Sequence, residues 1–245
     1  FPLQFQKPLK HCFRGFFVSF EAMPMTYSNL DAPSSEELFR LTDNGSGGWL
    51  QTAKRRIKFH LRYHFCRLHL QEIRSFFIRN HLETLTQQEL RLLLRPMRSY
   101  LWRGLSVSDR TYAQLSHFSW LLNRYSVDVV QAFYSRKSYE VFSKNYPEGL
   151  IRVVLLPSRA LGREGEFELH LRFNDISVMR SAFSILPAQV LGAGTDGFMM
   201  AVGNMQGRRF VNQEVKVVTQ KMERMRLQNI LMTALQGLAS GWGLI

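Results

Sequence analysis

The spacing of hydrophobic positions changes character once along this chain. Over residues 54–79 the series Ile57, Leu61, His64 and Leu68 recurs at three- and four-residue steps with few breakers, which predicts a long helix. A shorter helix fits before it, over 36–41. After it, Thr86 followed by Glu89 has the spacing of a capping box, and Pro96 limits or kinks the helix that would follow. Ser108 is expected to cap another helix to about Tyr125, with Tyr112, Leu115, Phe118, Trp120, Leu121 and Leu122 as its apolar positions. Asp128 would open one more, ending near Asn145 before the turn sequence Tyr146-Pro147-Glu148-Gly149. On this pattern the first 147 residues are almost wholly helical.

Beyond the turn the period becomes two. Residues 150–156 are apolar and rich in β-branched side chains. Residues 166–173 alternate, with Phe167, Leu169, Leu171 and Phe173 on one face and Glu166, Glu168, His170 and Arg172 on the other, the pattern of a half-buried strand. Residues 177–186 and 198–203 read as two more strands. Short links containing Gly, Asn and Asp favour antiparallel hairpins. Helical spacing returns at 209–225 and again at 228–238. The expected fold is therefore α+β: an arm and Gly/Ser-rich loop over 1–52, a basic helical region over 53–147, and a mainly antiparallel sheet flanked by helices over 148–245. The aromatic and basic residues 1–25 suggest an irregular arm or short amphipathic helix. It would pack on the body or adsorb to an anionic membrane surface.

Composition sharpens this picture through charge. The 245 residues carry a net +13 and 13% aromatic side chains, too aromatic for a disordered chain. An excess of that size favours an anionic partner: RNA, acidic lipid or a phosphorylated ligand. It is also localised. Residues 53–103 hold twelve Lys or Arg against three Glu, a net of +9 on predicted helices. Two cysteines, Cys12 and Cys66, supply neither a disulfide framework nor a four-thiolate zinc site. No apolar run is long enough for a transmembrane helix. Near the start, Lys10, His11 and Arg14 interrupt the Phe residues where a secretion signal would need an unbroken apolar stretch. As the chain starts at Phe1 and not Met, a leader or some native residues are expected to be absent.

Candidate chemistry is sparse. Gly192-Ala-Gly194-Thr-Asp-Gly197 matches a dinucleotide fingerprint in letters, but a strand follows it where a helix is needed, so a hairpin turn is expected. His60 and His64 have the four-residue spacing of zinc ligands. Leu61 stands where the partner glutamate would be, and Arg55, Arg56, Arg62 and Arg67 would repel a cation, so no metal site is expected. Arg55, Arg56 and Arg62 instead suit contact with phosphates, a solvated basic face being the plain alternative. Glu164 and Glu166, either side of Gly165, could serve as a general base or cation clamp, or simply solvate a turn. Residues 201–209 read as a strand end, a glycine loop and the start of a basic helix. Backbone N–H groups there, with Gln206, Gly207, Arg208 and Arg209, would suit a pyrophosphate such as that of coenzyme A.

Several phrases resemble the VirK/YbjX family of bacterial proteins, a domain of unknown function. They are Arg163-Glu-Gly-Glu166, Arg180-Ser-Ala-Phe183-Ser184-Ile-Leu186, Val202-Gly-Asn-Met-Gln206-Gly207 and Thr219-Gln-Lys221-Met. Arg98-Ser-Tyr100-Leu, Arg103-Gly-Leu-Ser, Asp109-Arg110 and His117-Phe118 belong to the same set. The resemblance spans about 85–240. It departs at Met225-Arg226-Leu-Gln, where the family has Arg-Pro-Lys, and at Ile245, beyond which the family pattern continues; a truncated end is expected. The resemblance implies virulence, production of surface virulence proteins, envelope homeostasis and antimicrobial-peptide resistance. It also implies a location in the cytoplasm or at the inner face of the membrane. The expected role is binding of an anionic partner. The alternative is an acyl-CoA-dependent acyltransferase with a GNAT-like core acting on an envelope substrate, although the Gln-Gly-Arg-Arg turn does not meet the full GNAT pattern.

Overall fold

The structure is a computed structural model that describes residues 34–42, 48–88, 91–98, 100–101, 104–135, 138–158 and 164–244. The fold is α+β. Helices α1 (Ser35–Thr42), α2 (Trp49–Arg79), α3 (Glu83–Gln88), α4 (Val107–Leu122) and α5 (Val127–Tyr134) precede strands β1 (Tyr139–Tyr146), β2 (Gly149–Pro157), β3 (Phe167–Phe173), β4 (Ile176–Pro187) and β5 (Phe198–Gly207). Helices α6 (Asn212–Lys221) and α7 (Leu227–Gly241) follow. The strands form one antiparallel sheet in the order β1-β2-β3-β4-β5. Each strand pairs with its sequence neighbour, the arrangement that short links allow.

Local chemistry explains the joints. Pro147 and Glu148 link β1 to β2, and Gly149 follows at φ 145°. Asn174 and Asp175 link β3 to β4. Asn174 takes φ 52°, a conformation its short polar side chain tolerates, and its Oδ1 accepts the Leu150 N–H at 3.0 Å. The glycine-rich segment after β4 is a 3-10 turn, Ala188–Leu191, ending at Gly192 with φ 73°. It leads into β5, so the letters of the fingerprint belong to a hairpin connection.

The main core lies between the sheet face carrying Phe167, Leu169, Leu171, Phe183 and Ile185 and the helices bearing Phe118, Trp120, Phe133, Leu231 and Leu235. A smaller cluster of Tyr100, Leu101, Leu105, Ala113 and Leu186 packs on the opposite face at the end of β4. Close backbone approach fixes the entry to β3. A Cβ on Gly165 would lie 2.5 Å from the Phe183 backbone nitrogen, and one on Gly203 would lie 1.8 Å from the Glu164 carbonyl oxygen.

Several boundaries differ from expectation. Residues 139–146, read as the end of a helix, are β1, because hydrogen bonds to β2 satisfy their backbone from outside the segment. Helix α4 is capped by Ser106, not Ser108: Ser106 Oγ accepts the Asp109 N–H at 3.1 Å, and Asp109 Oδ2 accepts the Ser106 N–H at 3.2 Å. Thr86 lies inside α3, which starts once the turn at Asn80 and His81 has sent Leu82 into the core; Glu89 lies outside the described residues. β5 continues to Gly207 because β4 pairs with it throughout, and α6 starts at Asn212 rather than 209. The arm over 1–25 also lies outside the described residues.

Gly203→Ala is expected to lower stability by about 2 kcal/mol or more, since either backbone must move. Gly194→Ala, with nothing within 4 Å of the added methyl, should change little. Chemical denaturation of the two variants checks this.

Candidate functional site

Three groups of polar side chains could carry function. The first is sealed. Glu166, at the entry to β3, is fully buried and ion-paired with Arg95, Oε2 to Nη2, at 2.9 Å. The Tyr100 hydroxyl donates to Glu166 Oε1 at 2.8 Å and lies 3.0 Å from Ser184 Oγ, which accepts the Glu166 backbone N–H at 3.0 Å. Arg95 Nη1 also donates to the Gly165 carbonyl at 3.3 Å. Burial pushes the Glu166 carboxyl above the ordinary carboxylate value, while the Arg95 charge and the Tyr100 hydrogen bond pull it back. Burial, reinforced by the Glu166 charge, holds the Tyr100 hydroxyl well above the ordinary phenol value, so it stays a donor. A charge buried this way is costly to strand: removing one partner of such a pair typically costs about 3–5 kcal/mol.

Glu164 turns elsewhere and accepts the Asn204 Nδ2–H at 2.7 Å. The two carboxylates flanking Gly165 therefore do not form a joint general-base site or cation clamp. Other phrases that carry the family resemblance are architectural too. Arg110 donates to the carbonyls of Pro96, Arg98 and Leu105 at 2.8–3.0 Å, lacing the segment before α4. His117 accepts the Ile185 N–H at Nδ1, 3.1 Å. Burial, with the nearby Arg95 charge, takes its pKa down to about 3.

The second group lies on the sheet face away from the main core. Register places Arg152 opposite Arg172, His170 opposite Arg180, and Arg180 opposite Gln206. Like charges directly opposite one another cost stability, yet here two arginines face each other and a third lies one pair along. Arg180 donates to Gln206 Oε1 at 3.1 Å, and Arg152 pairs with Asp175. Buried Nε atoms of Arg152 and Arg172 and Nδ1 of His170 have no hydrogen-bond partner among the described residues. His170 Nε2 is 2.8 Å from Glu168 Oε2. Gln206 thus belongs to this face. Arg208 and Arg209 sit on the exposed turn before α6, beside Phe210, which is 96% exposed at φ 62°. The expected junction of glycine loop and helix does not form there. The alternation of β3 had already put His170 and Arg172 on one face; Arg152 and Arg180 joined them only through register.

The third group is α2. No acidic residue occurs from Trp49 to Gln71, against six Lys or Arg. Arg55 and Arg62, seven apart, share a side of the helix. Arg56 lies elsewhere and pairs with Glu36 of α1 at 2.7 Å. Arg55 also bonds Thr52 Oγ1 at 3.2 Å. Lys54 and Lys58, both exposed, continue the Arg62 ridge at four-residue steps, a spacing the charge count alone did not single out. His60 is engaged by α1, its Nδ1 2.9 Å from Ser35 Oγ. Among the described residues no group of three or more metal-ligating side chains converges, and no helix is long and apolar enough to cross a membrane.

Fold and sites together define an α+β protein with a sealed ionic core and two basic surfaces. A family model described as "Protein of unknown function (DUF535)" matches residues 48–245. The chain belongs to that family, which is the VirK/YbjX family. No curated protein and no solved structure matches it.

The depressed His117 pKa has a sign that can be checked. An unfolded histidine titrates near 6.5, so below that pH the unfolded state takes up a proton that the folded state refuses. The stabilisation is complete above about pH 6.5 and is lost as pH falls toward 3, reaching about 2 kcal/mol of loss at pH 5. His117→Asn, which keeps an acceptor for the Ile185 N–H, should flatten the stability profile between pH 7 and 5 relative to wild type in denaturant titrations. Glu166 acts in the opposite direction, with stability falling as pH rises above the ordinary carboxylate value, and is common to both proteins.

Proposed function

We propose that this bacterial protein is a VirK-type virulence accessory factor that acts by binding an anionic partner. In this role it supports production of surface virulence proteins or resistance of the envelope to antimicrobial peptides. The observation that carries this reading is the acid-free basic stretch of α2, held at the surface with Arg62, Lys54 and Lys58 exposed. Charge laid along one rigid helix presents a line of cations to a polyanion or acidic surface, and the field adds along the line. The envelope link comes from the family. The location that goes with it is cytoplasmic, at the inner face of the membrane.

Binding to single-stranded RNA and to vesicles of acidic lipid, each at 50 and 200 mM salt, tests the reading. A contact neutralising four charges should weaken about 50-fold over that range for RNA. Replacing Arg55, Arg56 and Arg62 together by Gln should weaken the binding and reduce its salt dependence. Unchanged affinity in that variant, with helicity intact by circular dichroism, overturns the placement on α2.

A second reading is favoured by one observation: Gln206 shares a sheet face with Arg152, Arg172 and Arg180. This face, with the Gly207, Arg208 and Arg209 turn at its edge, would take the phosphates of an acyl-CoA and serve an acyltransferase acting on an envelope substrate. Acetyl-CoA, a long-chain acyl-CoA and desulfo-CoA should then raise the melting midpoint by mass action. The rise should disappear in Arg180→Ala with Gln206→Ala. No shift with any of the three ligands removes this reading.

A further inference from the structure

Helix α2 has two apolar faces, and only one is used. Cys66, Leu70, Ile73 and Phe77 are buried against the rest of the protein. On the opposite side Leu50, Ile57, Leu61, Phe65 and Leu68 recur at steps of seven, four, four and three, which keeps them in one stripe. Their exposures are 65%, 63%, 57%, 79% and 77%. A stripe of five large apolar side chains, about 27 Å long, is more than scattered surface hydrophobicity and marks a contact site. Two open grooves run beside it, one past Arg56, His60 and His64, the other past Lys54, Lys58 and Arg62. The apolar stripe is thus bordered on one side by the exposed cations Lys54, Lys58 and Arg62, and on the other by Arg56, which pairs with Glu36 of α1.

We infer that α2 is an interfacial helix that lies in the plane of an acidic lipid bilayer, with Leu50, Ile57, Leu61, Phe65 and Leu68 entering the acyl boundary and the flanking cations on the headgroups. The inference rests on the anionic-partner reading and names its partner. Charge complementarity selects the occupant. A second copy laid along the stripe would crowd the exposed Lys54, Lys58 and Arg62 of each copy against basic α2 of the other, with no acid between Trp49 and Gln71 to compensate them. RNA would satisfy the cations but leave the apolar stripe in water. A bilayer of acidic lipid satisfies both at once, because its headgroups are anionic and its acyl boundary takes apolar side chains to a depth of about 5–10 Å. Among the described residues no helix is long and apolar enough to cross a membrane, so the helix lies on the surface.

The full chain is tested for co-sedimentation with vesicles of phosphatidylcholine alone and of phosphatidylcholine with 30% phosphatidylglycerol. Two variants are compared with wild type. Leu61→Gln with Phe65→Gln removes the apolar contact while keeping every charge, at positions exposed in the fold. Lys54→Gln with Lys58→Gln removes charge and keeps the stripe. The expected result is binding to the acidic vesicles only, weakened at least about tenfold by the stripe variant and also weakened by the charge variant. If the charge variant alone loses binding, adsorption is electrostatic only; the inference falls and the anionic-partner reading stands. If wild type binds RNA but neither vesicle, the inference falls in the same way. If it binds neither vesicles nor RNA, both fall. A dimer in light scattering that the stripe variant converts to monomer, without vesicle binding, assigns the stripe to a second copy and overturns the inference.

Discussion

The buried carboxylate of Glu166 is the constraint around which the two halves of the chain are organised. A charge with no solvent exposure is tolerated only where every oxygen finds a strong partner. Here the carboxylate's partners, Arg95 and Tyr100, come from the segment between α3 and α4, while Ser184 of β4 accepts the Glu166 backbone N–H and lies 3.0 Å from the Tyr100 hydroxyl. Meeting that demand draws the segment between α3 and α4 onto the sheet at the end of β4. There Tyr100, Leu101 and Leu105 pack with Leu186 and Ala113. Gly165 and Gly203 make the approach possible by removing the side chains that would hold the strands apart. The Glu-Gly-Glu phrase and the glycine of the Val-Gly-Asn phrase are thus two sides of one joint.

That reading changes what the family resemblance means. Residues that look chemical in sequence, Glu166, Arg95, His117 and Arg110, are spent on holding the fold. They are closed to solvent or saturated by carbonyls. The chain's interaction chemistry lies instead at the surface, on α2 and on the arginine-bearing face of the sheet. These two surfaces differ in kind. The helix offers a long line of cations around an apolar stripe. The sheet offers a compact group of guanidinium and imidazole donors set by register.

The helices and strands were legible where side-chain period and local capping agree. The α2 pattern and the alternation of β3 both survive in the fold. Legibility failed for β1, where Tyr139, Val141 and Phe142 suit a strand but follow a helix start without a strong break, and only pairing with β2 decides. It failed for Glu166 and Glu168, which alternate like solvent-facing residues yet are both buried. Alternation reports which side a residue faces, not what covers that side. The basic face of the sheet was half legible, since His170 and Arg172 follow from β3 alone.

By itself the sequence determined the excess and the location of positive charge, the helical character of 54–79, and the order of strands linked by short turns. These are properties of neighbours along the chain. Tertiary structure alone decided that α2 keeps one apolar face dry and leaves the other in water. It also decided that arginines from three strands converge, and that a strand-edge glutamate is sealed under Arg95 and Tyr100. The Tyr100–Glu166 and Tyr100–Ser184 contacts join residues 66 and 84 positions apart. No local pattern encodes such distances, because they arise only when packing and backbone pairing bring the segments together.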